Sequence, residues 1–492
     1  LTLSANTEFF DADSLIGSNV TTLNVPSQNS YFTDFNSQGL IVTKDLSQAI
    51  FLSDGFSGIL TLPSQLLSVN FAVLNKGTVT KFAFDNESAK FEISSGIILN
   101  KEKTRILAVP NSLSGDIVLP NSIISFDNSA FENLAVTSIT LVDSLGAESA
   151  GQTYSTQGGV LYNAGKTVLI FAPKDISGDL ILSETLTDIS DSAFSGRVKL
   201  TSITAKSKLS KIGGYAFENI TASINLANDG SLKGINSESF RNYKGTNLVI
   251  PDSVTSIAEG SFYGCGNLTS ITLPFVGTGI SSTNEKALLG VIFGTSPFDG
   301  AVEVRQAFYD MKEFISYYLP SDLKEVTVTK ATTFKRGAFS HVTSLETVNV
   351  GYDFTVFDYS LACDVFKGAT AFSDFNVAEA GYYQSQNGDL FRYALNYTYV
   401  SSDITRYENI GGQYALSDKG TYILVGDMFV ELYTGEDGLP VKYRYFENSV
   451  FSSYNGVLYN KDKTSVIFCP LGKSGVLELA SSVKNINSAV FE

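Results

Sequence analysis

The chain has 492 residues with 34 Lys+Arg, 50 Asp+Glu and a single His, a formal net charge of -16 and a sequence pI near 4.6. An acidic surface repels phosphate, so nucleic acid is excluded as a partner. Charged residues make up 17% of the chain, against roughly 25% in an average globular domain, while 43% are hydrophobic and 12% aromatic, which supplies a large core and excludes a disordered chain.

No apolar run approaches the ~18 residues of a membrane span, so no membrane insertion is expected within the chain. Leu1-Thr2-Leu3-Ser4 has neither Met nor a basic segment, the opening expected of a trimmed chain, and a leader or wall anchor in a longer gene product stays compatible with it. Cys265, Cys363 and Cys469 are too few and too scattered for a disulfide framework or a metal-ligand spacing, and they leave the redox compartment open.

In chain order, five segments open alike: Gly39-Leu40-Ile41, Gly96-Ile97-Ile98, Gly159-Val160-Leu161-Tyr162, Gly388-Asp389-Leu390-Phe391 and Gly456-Val457-Leu458-Tyr459. In four of them a glycine follows nineteen positions on (Gly58, Gly115, Gly178, Gly475), an apolar residue eleven later (Val69, Phe126, Ile189, Ile486), and Leu74, Phe131, Phe194 or Phe491 five beyond that. Three held offsets mark copies of one structural unit. Phe91, Tyr154, Tyr383 and Phe451 each precede such a Gly by five residues; the 388 copy then loses register, and residues 401–446 align with no other copy.

A shorter repeat shares the five-residue step in Ile189/Phe194, Ile212/Phe217, Ile235/Phe240, Ile257/Phe262 and Phe334/Phe339, the first four spaced by 23, 23 and 22 residues. That period lies in the leucine-rich-repeat range. Its clearest copy runs from Ile250-Pro251-Asp252-Ser253-Val254-Thr255-Ser256-Ile257 through Ser261-Phe262-Tyr263-Gly264-Cys265 to Leu268-Thr269-Ser270-Ile271-Thr272-Leu273-Pro274. This resembles the BspA-like (Treponema-type) leucine-rich-repeat family over most of the chain. The resemblance implies a secreted or cell-surface protein used in adhesion to host or neighbouring-cell molecules.

Apolar residues alternate with small polar ones in Ser138-Ile139-Thr140-Leu141, Ser202-Ile203-Thr204, Ser223-Ile224-Asn225-Leu226, Ser270-Ile271-Thr272-Leu273 and Thr347-Val348-Asn349-Val350, the period of short half-buried strands. The expected fold class is a β-rich leucine-rich-repeat solenoid, α/β horseshoe-like, of stacked short parallel strands with few short helices and an insertion. Ile139, Ile203, Ile224, Ile271 and Val348 should be buried on one wall, and Phe131, Phe194, Phe217, Phe240, Phe262 and Phe339 on the other. The organisation read from these patterns is a solenoid over 1–274, an insertion breaking the repeat over 275–320, repeats over 321–377, an irregular Tyr-rich degenerate region over 378–446, and a repeat over 447–492 that is incomplete at its end. Residues 475–491 stop where Phe131 and Phe194 lead on to the strands of Ile139 and Ile203, so a further strand, a cap or a neighbouring molecule is expected to cover the final coil.

Chemical motifs give way to structural readings. Asn133, Gly196, Asn219, Asn242, Gly264, Gly368 and His341 all stand two residues after a repeat Phe, a column of types that tolerate positive φ, so His341 is expected in a turn without metal or carboxylate partner. Gly165-Lys166-Thr167 lacks the earlier glycine of a phosphate loop and, like Glu102-Lys103-Thr104 and Asp462-Lys463-Thr464, reads as a polar turn. Cys469 shares a column with Leu52, Val109 and Ala172 and reads as core. Acidic pairs such as Asp11/Asp13 and Glu436/Asp437 are too short for a calcium loop. No catalytic residue, cofactor or metal is expected. Two segments break the repeat and are candidates for specificity. One is 275–320, with an approximately helical stretch from Val304 to Tyr318. The other is 378–446, with Tyr382, Tyr383, Tyr393, Tyr397, Tyr399, Tyr433, Tyr443 and Tyr445.

The leading expectation is a non-enzymatic binding or adhesion protein whose candidate face is Ser138, Thr140, Ser202, Ser223, Asn225, Ser270, Thr272, Thr347 and Asn349. The expected partner is an extracellular protein or glycan and the expected location the cell surface or exterior, the latter from the family resemblance. The alternatives are an architectural spacer that displays another domain and, behind it, a glycan-active enzyme.

Overall fold

Short runs of alternating polarity separated by turns give a β-solenoid built from strands of two to eight residues, and among the described residues helix is limited to short turns such as Phe71–Leu74. The computed structural model describes residues 1–10, 20–206, 208–227, 230–308, 314–351, 354–356, 364–377, 450–486 and 490, and the backbone of seven strands between 381 and 446. Two compact units are formed, one by Leu1–Thr185 with Gly196–Thr201, the other by Leu186–Ser195 with Ser202–Glu492.

In the first unit the long repeats are three-stranded antiparallel meanders. They are Phe32–Phe35, Leu40–Thr43 and Ala49–Leu52; Phe91–Ser94, Ile97–Asn100 and Ile106–Ala108; and Tyr154–Gln157, Val160–Asn163 and Val168–Phe171. Parallel pairs lie between them: Ser57–Leu62 with Thr78–Phe84, and Ser114–Pro120 with Ala135–Val142. The polar turn after the middle strand is built by Thr43 and Asp45 in the first meander and by asparagine in the later ones. Asn163 Oδ1 accepts the Thr167 and Val168 N–H groups at 2.8 and 3.0 Å while its amide donates to the Thr167 hydroxyl at 2.8 Å. Asn100 and Asn460 do the same with Thr104 and Thr464, and Lys103, Lys166 and Lys463 take φ of 58°, 55° and 54°.

In three of the long units the opening glycine closes the neighbouring parallel strand. The Gly96 and Gly159 carbonyls accept the Phe82 and Ile139 N–H groups at 2.9 and 3.0 Å, and in the second unit Gly456 accepts from Phe375 at 2.8 Å. Gly159 has φ +78°, and a Cβ there would lie 2.9 Å from Ser138 Cβ, so both backbone conformation and close approach demand glycine. A hydroxyl next to or near each such glycine supplies a second bond to a parallel-strand N–H: Ser95 to Val118 at 2.8 Å, Thr156 to Leu141 at 3.1 Å, Ser453 to Val377 at 2.9 Å. Strand edges left unpaired by the meanders are thereby satisfied.

The second unit is dominated by parallel stacking. Residues 202–205 pair with Ser223–Leu226, and a five-stranded parallel sheet runs Asn247–Val249, Ser270–Leu273, Glu325–Val328, Thr347–Val350 and Asp374–Val377. On the opposite wall each repeat Phe donates its N–H one coil onward: Phe194 to Ala216, Phe217 to Ser239, Phe240 to Ser261 and Phe339 to Val365, at 2.9 to 3.1 Å. The rings follow the same step, Phe194 to Phe217 at 5.7 Å, Phe217 to Phe240 at 5.2 Å and Phe240 to Phe262 at 5.5 Å between centroids. All six expected Phe and all five expected Ile or Val residues are buried.

Gly196, Asn219, Asn242, Gly264, His341 and Gly368 have positive φ, as the turn column requires. Asn133 does not adopt it, because its turn is built on a 3-10 helix, Asn128–Ala130, capped by Asp127. A second left-handed column, two residues before the Phe, consists of Ser192, Tyr215, Glu238, Gly260 and Gly337.

The described residues between Val304 and Tyr318 form strands, not helix. They belong to an antiparallel hairpin, Ala301–Ala307 with Phe314–Pro320, and the burial of Val304 with Gln306 and of Tyr317 with Leu319 follows the strand period of two. The insertion supplies one coil of the Phe wall, since Phe262 and Gly260 donate to Ile292 and Val291, and Leu289 donates to Ala338. Phe293 continues the ring file at 6.1 Å from Phe262. Gln306, fully buried, accepts the Gly290 N–H at 2.6 Å and donates to the Ala338 carbonyl at 3.1 Å. The sheet wall therefore passes directly from Ser270–Leu273 to Glu325–Val328.

Between 381 and 446 seven antiparallel strands are ordered Leu390–Tyr393, Gly381–Gln384, Lys442–Phe446, Met428–Glu431, Gly420–Val425, Gln413–Ser417 and Arg406–Asn409. Their register puts Tyr383, Tyr393, Tyr407, Tyr422, Tyr443 and Tyr445 at positions of one face, and Tyr382 and Tyr414 at positions of the other. Tyr397, Tyr399, Tyr433, Cys363 and Phe491 lie outside the described residues. In the final coil Val490 is buried and Ile486, paired with Val466, is half exposed.

Candidate functional site

Because side chains alternate along a strand, the five-stranded sheet presents two rows away from its core. One row is Asn247, Ser270, Glu325, Thr347 and Asp374; the other is Val249, Thr272, Thr327, Asn349 and Asn376. The candidates Ser270, Thr272, Thr347 and Asn349 are brought together here. Ser202 stands opposite Ser223, and Asn225 opposite Thr204, on the neighbouring parallel pair of the same unit. Ser138 and Thr140 belong to the first unit, opposite Asp116 and Val118. The Ser138 hydroxyl is committed to Asp116 at 2.6 Å, and this bond with that from Thr137 holds the Asp116 carboxyl below its usual range.

Asn247, Glu325, Thr327, Asp374 and Asn376 complete the rows although sequence reasoning did not place them there. The signal was present in Glu325-Val326-Thr327-Val328 and Asp374-Phe375-Asn376-Val377, which alternate as the other strands do. Asparagine amides bridge the second row: Asn376 donates to Asn349 Oδ1 at 3.0 Å, and Asn349 donates to the Glu325 carboxylate at 2.6 Å and the Thr327 hydroxyl at 3.2 Å. Partial burial opposes ionisation of Asp374, but the Lys473 ammonium at 2.7 Å and the Ser373 hydroxyl outweigh it and keep the carboxyl below its ordinary value. The face thus offers fixed amides and hydroxyls with two carboxylates, and a half-exposed Val249 at one side.

The two described thiols belong to the core. Cys265 is fully buried, donates to the Phe240 carbonyl at 3.1 Å, and is pushed up to about 12 by burial. Cys469 is buried in the column of Leu52, Val109 and Ala172, and its thiol is also raised by burial. Among the described residues no group of three His, Cys, Asp or Glu side chains is placed to hold a metal ion, and no helix is long and apolar enough to cross a membrane.

His341 stands in its turn at φ 57°, donates its backbone N–H to the Lys367 carbonyl at 2.7 Å, and meets Phe314 edge-on at 5.9 Å. Burial, then the Lys367 and Arg305 charges, press its pKa below the ordinary 6.5. The unfolded chain therefore takes up the imidazole proton first as pH falls below that value, and the stability present at pH 7 declines. His341→Asn keeps a residue suited to positive φ and removes the titration. The wild-type urea midpoint should fall more between about pH 7.5 and 5.5 than that of the variant. An equal fall in both would remove His341 from the acid response.

Residues 108–151 and 171–288 match, in six copies, the family model described as the BspA type leucine rich repeat region. The matched repeats are of the BspA type. The strands Glu325–Val328, Thr347–Val350 and Asp374–Val377 lie outside the matched BspA-type residues and join the same sheet through register. No curated protein matches the chain. Solved structures similar to it include the pneumococcal vaccine antigen PcpA, at 18% identity over 60% of this chain and 63% of that one, with a TM-score of 0.35. A leucine-rich repeat protein from Eubacterium ventriosum is similar at 14% identity over 75% and 82% of the two chains, TM-score 0.33. A leucine rich cell surface protein from Faecalibacterium prausnitzii is similar at 16% identity over 63% and 62%, TM-score 0.31. The chain thus spans less than two thirds of the length of PcpA and of the Faecalibacterium protein.

Proposed function

We propose that the chain is a non-enzymatic binding protein, displayed at a cell surface or secreted, whose open sheet face in the second unit recognises an extracellular polypeptide. The observation that carries this reading is the pair of in-register polar rows across five parallel strands, held by amide bridges rather than by a reacting constellation. Repeat sheets present long surfaces on which many weak contacts add, and prefixed side chains reduce the ordering cost of binding. Polypeptide is favoured over glycan because the two rows hold backbone-like amides and hydroxyls and no aromatic platform for a sugar ring. Surface display rests on the BspA-type repeats and on the similar proteins described as a vaccine antigen and a cell surface protein.

An array of extracellular-matrix proteins and glycans probed with the purified chain tests this. A polypeptide hit should weaken at least about tenfold in the Thr272→Lys/Thr327→Lys double variant, which places two charges in the row, while the urea midpoint stays unchanged. A glycan hit lost in the same variant would move the ligand class. Hits indifferent to the variant, or none at all, would leave an architectural spacer as the better account.

A further inference from the structure

On the Phe wall of the second unit, the residue after each repeat Phe forms a file: Ser195, Glu218, Arg241 and Tyr263. The Ser195 hydroxyl donates to Glu218 at 2.9 Å, Arg241 Nη1 donates to Glu238 at 2.5 Å, and Arg241 Nε lies 3.6 Å from Glu218. The guanidinium sits over the rings of Tyr263, at 5.1 Å, and Tyr215, at 5.9 Å. Tyr263 is itself fixed, edge-on to Phe298 at 5.6 Å with its hydroxyl donating to the Pro297 carbonyl at 3.1 Å.

Tyr215 and Glu238 are joined by a side-chain hydrogen bond, so ring, carboxylate and guanidinium fix one another. Tyr215 and Glu238 have φ of 56° and 55° in the column where two other coils use Gly260 and Gly337. Glycine would suit the backbone better, yet a bulky ring is kept there with 40% of its surface open to solvent. Tyrosine and arginine are the types that dominate binding energy when held rigid at a contact. Two carboxylates against one guanidinium leave the cluster one negative charge in excess, and the open Tyr215 ring is a cation-π platform.

We propose that this stack is a second interaction surface, apart from the open sheet face, that docks a polypeptide partner through a Lys or Arg side chain set against the exposed ring of Tyr215 beside Glu218 and Glu238. The partner's cation extends the alternation of ring and guanidinium that Tyr263, Arg241 and Tyr215 begin. An acidic segment is rejected by the carboxylates and by the net charge of -16.

The test is titration of the full chain with a short Arg-Ser repeat peptide, a Glu-Ser peptide serving as control, for wild type, Tyr215→Gly, Glu238→Gln and Asp54→Asn. The last removes an exposed carboxylate of the other unit. Tyr215→Gly should weaken the basic peptide roughly tenfold while its urea midpoint is unchanged or raised, Glu238→Gln should weaken it as well, and Asp54→Asn should leave it unaltered. Equal binding by all four chains, or binding by none, would overturn the proposal in favour of diffuse charge attraction or no site. A lowered midpoint with unaltered affinity in Tyr215→Gly would make the stack a structural brace and overturn it equally.

Discussion

Replacing Phe217 by alanine should lower the unfolding free energy of the second unit by about 3–5 kcal/mol, the range for emptying a fully buried aromatic site. The ring is wholly buried between Phe194 at 5.7 Å and Phe240 at 5.2 Å, so its loss strips one face from each neighbour. Hydrogen bonds from Phe194 to Ala216 and from Phe217 to Ser239 fix the coil spacing on both sides and hinder collapse into the gap. In a repeat array each coil leans on its neighbours, so the loss should spread one coil either way. Urea unfolding followed by amide exchange checks this. A cost below about 1 kcal/mol would mean that the ring file can close over the vacancy.

Gly337→Ala should be nearly as damaging, about 3 kcal/mol or more. Gly337 combines φ +76° with a backbone approach so close that a Cβ would lie 1.7 Å from the Ala307 carbonyl oxygen. The hairpin strand Ala301–Ala307 would have to shift, and with it Gln306, which bonds the insertion to the Ala338 carbonyl. Gly260 occupies the equivalent position at φ +66° with open space around it, so Gly260→Ala should cost only the left-handed strain of roughly 1–2 kcal/mol. Equal losses from the two substitutions would show that the close approach at Gly337 relaxes freely.

The repeat pattern was legible because one chemical demand recurs at one spacing. Phe194, Phe217, Phe240 and Phe262 meet the same need for volume in successive coils, and Ile203, Ile224 and Ile271 the same need on the sheet wall. The opening glycine of the long unit was legible as a mark but not as a device. Its carbonyl bond to a strand far back in the chain, as from Gly456 to Phe375, depends on coil stacking that no local spacing reports. The hairpin in the insertion was misread because Val304, Phe308 and the later aromatics also fit helical spacing, and no Gly, Pro or Asn marks the reversal between Ala307 and Phe314. Of the candidate face, the alternation located Ser270, Thr272, Thr347 and Asn349. It could not tell that Ser138 is spent on Asp116, or that Glu325 and Asp374 stand among the hydroxyls. The left-handed column of Ser192, Tyr215 and Glu238 escaped notice because those residues share no preference for that conformation.

The direct pairing of Ser270–Leu273 with Glu325–Val328, and of Phe375 with Gly456, places both excursions of the chain in parentheses. Across the first the flanking strands meet in register, across the second they meet through the Phe375 and Val377 hydrogen bonds, and the entropy of closing a longer loop grows only with the logarithm of its length. Lineages of this fold can therefore acquire, trade or shed whole segments at these two points while the coils before and after keep their hydrogen bonds.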